Sequence, residues 1–394
     1  MSSIIIIGAG AAGLYAAGLL SGMHDITVLE AAPFAGGRIR TSYDNGIAHE
    51  GGAEFIHGSQ EITMQLAEEA GLHWFPYSDA FFRNKGNGPE PSEMIEGLDY
   101  IVQKMKDSDD ITLNDFLFRN KMNDLVREEV LQLSKGFSLA DPASVSVNYL
   151  ASDWNSLDED QYFIEEGYEA LVKHLLKKAA ARSRLLYNSQ VEKIEWKTGS
   201  VTIYTTSSKY EAEKVIITVP VNRIGRDPGI SINLDENHRG ALECFGYGPT
   251  IKCNLEFKEA FWQMQGFYTS SEKFATWWTH PRYNKMITGW MDEASAKEAD
   301  TNEEALLQTA LISLGNIFNL PPKYLQKQLS KKFFFNWKSG AYSFGKPGFA
   351  QARELFAQPI EETIYFAGEA FQNKVTGATV EAALVSAQNV VEPI

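Results

Sequence analysis

"SSIIIIGAGAAGLYAAGLL", residues 2–20, carries no charge, and none appears before Met23. A membrane signal, a buried strand and the mouth of a nucleotide site all begin this way. A signal peptide needs a basic start and a small-residue cleavage site. Only Met1, Ser2 and Ser3 precede the apolar run, and none is basic. A spanning helix needs roughly 20 mostly apolar residues with few breakers. Gly8, Gly10, Gly13 and Gly18 interrupt this one. The third reading fits. Ile4 to Ile7 is a β-branched run suited to a parallel strand buried on both faces. Gly8-Ala9-Gly10-Ala11-Ala12-Gly13 is GxGxxG, and Leu14, Ala17 and Leu20 follow with helical spacing. "DITVLE", Asp25 to Glu30, then reads as a second strand ending in an acid, 22 residues after Gly8. Together they make a βαβ unit of the dinucleotide type. Gly8 permits the tight turn, Gly10 the approach of a pyrophosphate, and Gly13 close packing of helix on strand. The helix N-terminus offers N–H groups to the phosphates, and Glu30 accepts from ribose hydroxyls.

Composition sets the limits. The 394 residues suffice for two domains. A net charge of −15 argues against nucleic acid and anionic membrane surfaces as partners. It is compatible with a cationic small molecule. Cys244 and Cys253 form no CxxC pair, which suggests a reducing, cytoplasmic setting. The seven histidines show no HxxH or HxH spacing, so no metal site is expected.

Along the chain, the glycine pairs Gly36-Gly37 and Gly51-Gly52 bracket a hairpin, and "EITMQLAEEAGL" is a helix stopped by Gly71. From about residue 79 to 181 the character is helical. "RNKGNGPEPSE" reads as a loop, "LNDFLFRNKMNDLVREEVLQLSKG" as one helix, and "EGYEALVKHLLKKAAAR" as another with Leu171, Leu175 and Ala179 on one face. Strands return in "VEKIEW", "VTIYTT" and "KVIITVPV". "TIYFAGEA" and "TVEAALVSAQNVV" close the chain as strand, turn and helix. The expected fold is α/β, α+β overall. A Rossmann-type βαβ domain (1–78, 182–228 and 350–394) is interrupted by a second domain (79–181 and 229–349) with an antiparallel sheet and helices. A ligand would sit in the cleft between them.

Seven motifs, "IIIIGAGAAGL", "VLEA…GGRIR", "EGGAEFIHG", "VIITVP", "IKCNLEF", "NWKSGAYS" and "YFAGEA", stand in the order found in flavin amine oxidases, the group of monoamine, polyamine and L-amino-acid oxidases. The resemblance spans Ile4 to Val391 and is thin between about Asp79 and Ala180. It implies bound FAD. By matched position Gly8, Gly10, Ala12, Gly13 and Glu30 would hold the ADP half, and Gly37 and Arg38 would lie at the pyrophosphate. Gly51, Gly52, Ala53 and Glu54 would pass beside the flavin ring, where glycine would make room. Val191 would touch adenine. Gly368 and Glu369 would meet the ribityl or pyrophosphate region. Thr379 and Val380 would start a helix aimed at the flavin.

For the chemistry, the resemblance implies Lys252, Tyr342, Trp337 and His57. Lys252 matches a lysine that reaches flavin N5 through a water. Alternation in "TIKCNLEF" alone would leave it on an exposed face, opposite Ile251, Cys253 and Leu255. Tyr342 matches one wall of an aromatic cage. The other wall falls at Thr379, so Trp277, Trp278 or Trp290 would have to replace it. Trp337 matches a tryptophan packed near the ring, and His57 a position that faces substrate. Ala341 stands where covalently flavinylated relatives carry cysteine, so the FAD would be non-covalent. The chain stops at Ile394 after the last helix, so no membrane anchor is expected. The implied reaction is oxidation of an amine to an imine by hydride transfer to flavin, with O2 as the reoxidant releasing H2O2. A flavin L-amino-acid oxidase is an alternative and would need an arginine for the carboxylate, with Arg223, Arg226 and Arg282 available. A FAD-binding protein without turnover is another.

Overall fold

A computed structural model describes residues 1–77, 80–95, 97–155, 160–280, 282–372 and 377–394. The quoted stretch forms strand Ser3–Ile7 and helix Ala11–Leu20. The strand lies at the centre of a five-stranded parallel sheet. Its neighbours in order are Ser183–Leu186, Asp25–Leu29, itself, Lys214–Ile217 and Ile364–Phe366. The four isoleucines divide between its faces. Ile4 and Ile6 join Leu14, Leu171, Leu175 and Leu384. Ile5 and Ile7 join Ile203, Val215, Phe356 and Phe366 on the other side. A strand buried on both faces reads as an unbroken apolar run.

The second large sheet has seven strands: Leu329–Gly345, Phe245–Phe257, Met286–Met291, Phe274–Thr279, Phe267–Thr269, Phe81–Asn84 and Pro89–Ser92. Its pairs are antiparallel except Phe267–Thr269 with Phe81–Asn84. One face packs on helix Glu303–Phe318 through Ile251, Cys253, Leu255, Trp277 and Leu311. The architecture is therefore α/β with a Rossmann-type unit interrupted by a mostly antiparallel sheet and helices, as expected.

Local readings change in three places. The segment read as a loop is a hairpin, Phe81–Asn84 against Pro89–Ser92. Its prolines sit on the sheet's edge strand, where a missing N–H costs no ladder bond. The long helix is two, Leu113–Asn120 and Asp124–Gly136. Lys121 turns left-handed, φ 46°, and the Asn123 side chain caps the second helix by accepting from Val126 N at 2.9 Å. Asparagine's short amide competes with helical hydrogen bonding and favours caps. Helix Glu169–Ala180, placed by sequence in the second domain, instead packs on helix Ala11–Leu20 through Leu171, Leu175 and Ala179. The boundary drawn at 78–79 lies outside the described residues.

Gly13 shows how tightly the first unit is built. A Cβ there would lie 1.9 Å from Gly8 O and 2.9 Å from Thr218 Oγ1. Overpacking a close-packed interior costs about 1–3 kcal/mol. Gly13→Ala is expected to destabilise the protein by about 2 kcal/mol or more, read as a lowered denaturation midpoint.

Candidate active site

A cavity of about 1710 Å³ runs from the first strand–helix turn to the large sheet. Small-molecule sites usually occupy roughly 300–1,000 Å³, so this one has room for a dinucleotide and a second molecule. At its outer end lie Gly8, Gly10, Ala12, Glu30 and Val191. Glu30 ends strand Asp25–Leu29 and accepts from Ala9 N (2.7 Å) and Ala32 N (2.8 Å). These bonds leave acceptor capacity for hydroxyls on the cavity side. A Cβ on Gly10 would meet nothing within 4 Å, so the helix N-terminus is open to the cavity. Its first N–H groups lack intrahelical partners.

Midway stand Gly37, Arg38, Gly368 and Glu369. Arg38 Nη1 donates to Glu369 Oε1 at 2.8 Å and to Ala341 O at 3.1 Å. Ser343 Oγ donates to the other Glu369 oxygen at 2.5 Å. The two residues assigned separately by resemblance thus pair with each other on the wall. The Arg38 guanidinium lies 5.6 Å from the ring centre of Tyr247. Tyr247 Oη is buried without a hydrogen-bond partner among the described residues, as is Trp278 Nε1 farther in. Both residues line the cavity. Buried polar groups are almost always satisfied, so an orphan beside Arg38 and another farther along the cavity, together with an open helix N-terminus and a ribose-type acid, fit a bound dinucleotide. Thr379 and Val380 lie at the far helix, Val380–Val391, and Thr379 Oγ1 caps it by accepting from Ala382 N at 3.0 Å.

The inner end is built on strand Phe245–Phe257. Register places Trp290 and Phe335 directly opposite Lys252, and Thr288 and Trp278 in line with Asn254. Cross-strand neighbours share a face, so Lys252, Trp278 and Trp290 look the same way. Trp277 looks the other way into the core, where its Nε1 donates to Ser313 Oγ at 2.9 Å. Alternation had suggested an exposed lysine. Lys252 is instead 1% exposed, because the Gly51-Gly52 segment covers its face. Its Nζ lies 3.0 Å from Gly52 O, 2.5 Å from Glu54 Oε2 and 5.3 Å from the Trp278 ring centre.

Tyr342 and Trp290 stand nearly parallel, with centroids 6.2 Å apart and planes at 14°. Trp278 and Phe55 extend this aromatic wall. The Tyr342 hydroxyl donates to Phe137 O. Burial, reinforced by Asp153, holds its phenol well above the ordinary value, so it remains neutral. Trp337 Nε1 donates to Gly51 O at 2.6 Å. His57 lies on the cavity wall in strand Phe55–His57. Burial pulls its pKa down to about 4 against a hydrogen bond to Gln161, so the ring is neutral at pH 7.

The structure thus brings Lys252, Trp337, Tyr342 and His57 to one cavity together with Gly52, Ala53 and Glu54. Gly51 and Gly13 do not line it. The reason for glycine at the Gly51-Gly52 pair is protein packing rather than a flat ligand. A Cβ on Gly51 would lie 2.1 Å from Phe335, and one on Gly52 1.8 Å from Arg38 O. Sequence reasoning missed Arg83, which lines the cavity in an ion pair with Glu129 and donates to Met94 O and Thr269 Oγ1. It also missed Asp153, whose carboxyl burial pushes up to about 6. Both sit in the stretch where the resemblance is thin.

Residues 85–394 match the family model described as flavin containing amine oxidoreductase, and residues 6–70 match an NAD(P)-binding Rossmann-like domain. The chain belongs to the flavin-containing amine oxidoreductases. Its cofactor is FAD. Human lysine-specific histone demethylase 2 is 26% identical across 95% of this chain and 52% of its own length. The chain thus spans about half the length of that relative. Polyamine oxidase 4 of Oryza sativa subsp. japonica is 24% identical across 93% of this chain and 83% of its own. A solved structure of wild-type putrescine oxidase bound to putrescine superposes with a TM-score of 0.81 at 18% identity, covering 100% of this chain and 98% of that one. That likeness shows the shared fold. Among the described residues no helix is long and apolar enough to cross a membrane.

Gly10 and Gly13 are expected to separate FAD affinity from stability. Gly10→Ala places a methyl in open space. The flavin-free protein should denature within about 0.5 kcal/mol of wild type, as substitutions away from packed features usually do. FAD affinity, measured by titration of the flavin-free protein, should fall at least tenfold, about 1.4 kcal/mol.

Proposed function

We propose that the chain oxidises a small amine without an α-carboxylate, with FAD held non-covalently and O2 as the electron acceptor. The observation that carries the reading is the aromatic wall Tyr342–Trp290–Trp278 beside buried Lys252, in a cavity continuous with the dinucleotide site. The polyamine and putrescine oxidases among its relatives and neighbours support the substrate class. In this reading Gly8, Gly10, Ala12, Glu30 and Val191 hold the ADP half, Arg38 and Glu369 the centre, and Gly52, Ala53, Glu54, Thr379 and Val380 the ring end. Residues 169–180 belong with the FAD-binding part, which moves the boundary expected at 181.

FAD, when bound, accepts two electrons from the carbon next to nitrogen. The protein's task is to seat that carbon, keep the amine unprotonated and exclude water. Tyr342 and Trp290 supply the surface the amine packs against, and Trp290 takes the place that Thr379, committed to its cap, leaves open. Neutral His57 can accept a hydrogen bond from a second amino group on the substrate. Trp337 fixes the Gly51 carbonyl and so the segment carrying Gly52 to Glu54. The amine loses two electrons and two protons to become an imine, which water hydrolyses. O2 takes up the electrons and protons as H2O2.

The α-amino-acid alternative requires a cation for the carboxylate. Arg226 pairs with Glu243, Arg282 with Glu165, and Arg83 with Glu129. Arg223 donates to Pro228 O and lines the cavity with Val219 and Pro228, on the segment that follows the parallel sheet. None of the four stands ready beside Tyr342.

Tyr342→Ala and Trp290→Ala should each retain FAD and slow flavin bleaching by amine at least tenfold, since rate falls steeply with misorientation. Wild-type bleaching rates under anaerobic stopped flow would remove the aromatic wall from the site. The cofactor itself should leave with acid: Ala341 offers no sulfur, and neither Cys244 nor Cys253 lines the cavity. Acid precipitation is expected to put the yellow colour in the supernatant, and colour in the pellet would disprove non-covalent binding.

A further inference from the structure

Lys252 and Glu54 form an ion pair that almost no water reaches. Their side chains are 1% and 4% exposed and 2.5 Å apart. They come from different parts of the fold, Lys252 from the long strand and Glu54 from the segment after the Gly51-Gly52 pair. Both line the cavity where the flavin ring end is placed above. The ammonium has three protons. The Gly52 carbonyl accepts one of them, Glu54 Oε2 lies at ion-pair distance, and the Trp278 face lies 5.3 Å away. Glu50, the nearby second acid, accepts from Tyr168 N and Thr41 Oγ1. Burial pushes its carboxyl up to about 8, so it is largely uncharged at neutral pH. One cation therefore faces one carboxylate.

We propose that Glu54 is a positioning residue for Lys252 that sets the charge Lys252 presents to the bound flavin. The proposal rests on the reading that Lys252 stands at the flavin. A lone buried ammonium would stabilise the negative charge of reduced flavin strongly, because few solvent dipoles screen it. Paired with Glu54, it acts as a dipole fixed in direction and close to zero in net charge. The carboxylate thus holds the lysine in place against the Gly52 carbonyl and moderates the pull on flavin electrons. Cutting one partner from a buried pair leaves an uncompensated charge, whereas replacing both removes the problem.

The test compares Glu54→Gln, Lys252→Met and the double variant as FAD-loaded proteins. The reading is the flavin reduction potential, taken by equilibration with reference dyes. Glu54→Gln should tilt the equilibrium toward reduced flavin about tenfold, or about 30 mV for two electrons. Lys252→Met should not tilt it that way, and the double variant should return to within about threefold of wild type. In the flavin-free proteins Glu54→Gln should melt below the double variant. If Glu54→Gln does not move the potential while Lys252→Met does, the proposal falls and the placement of Lys252 stands. If no variant moves it, the placement itself is wrong. If the double variant stays as high as Glu54→Gln, Glu54 acts on the flavin without the lysine, and the proposal also falls. Should Glu54→Gln lose FAD, the double variant must regain it and Glu54→Asp must retain it. Failure of either overturns the charge balance proposed.

Discussion

Three consecutive backbone carbonyls join the two halves of this protein. Asn254 Nδ2 donates to Glu50 O at 3.1 Å, Trp337 Nε1 to Gly51 O at 2.6 Å and Lys252 Nζ to Gly52 O at 3.0 Å. The donors lie on two neighbouring strands of the large sheet, and the acceptors end the hairpin that leaves the Rossmann-type unit. Carbonyls in an irregular segment must find partners when buried. Here the sheet supplies them, and in doing so covers its own polar face. The same contact requires the two glycines, since a Cβ at either would strike Phe335 or the Arg38 carbonyl. Cofactor cleft, buried lysine and aromatic wall all take their positions from this seam.

The Rossmann-type unit was legible because its signals are local. An isoleucine run, GxGxxG and an acid at the end of the next strand lie within 30 residues, and each has its own backbone reason. The burial of Lys252 was not legible from alternation. Period-2 reading says that Lys252 and Cys253 face opposite ways, and they do, but it cannot say what covers either face. Only a segment 200 residues away in sequence decides that. The same limit applies to "TWW". Adjacent tryptophans must point to opposite faces, yet the sequence does not reveal that Trp277 is the core one. Register against Gly289 and Cys253 does. The apolar stripe of helix Glu169–Ala180 reads as a helix but does not name the partner it packs on, which is helix Ala11–Leu20.

Trp290 offers an aromatic face parallel to Tyr342 that matching by position would not name. The position expected to carry a second ring holds Thr379, whose hydroxyl is used as a helix cap. An aromatic face parallel to Tyr342 is nevertheless present, contributed by the strand beside Lys252. Matching by position finds residues that keep their place in the chain. It does not find a ring contributed by another element.

The cations that reach the cavity are largely committed already. Arg38 is held by Glu369, Lys252 by Glu54 and Arg83 by Glu129, each partner distant in sequence. A guanidinium so engaged can recruit a substrate carboxylate only by giving up a charge-assisted bond, and such bonds are about twice as strong as neutral ones. The rim carries exposed Glu61 and Asp160, and the chain as a whole carries −15. Closed ion pairs within the cavity therefore leave a substrate carboxylate no uncommitted cation among Arg38, Lys252 and Arg83. An amine meets the opposite conditions: attraction at the rim as an ammonium, then an aromatic wall that its uncharged form can pack against without an unpaired charge being buried. Only that form carries the nitrogen lone pair that drives electrons out of the neighbouring C–H bond. On the amine-oxidising function proposed above, the entrance and the wall favour one class of molecule in two protonation states, the ammonium outside and the free amine within.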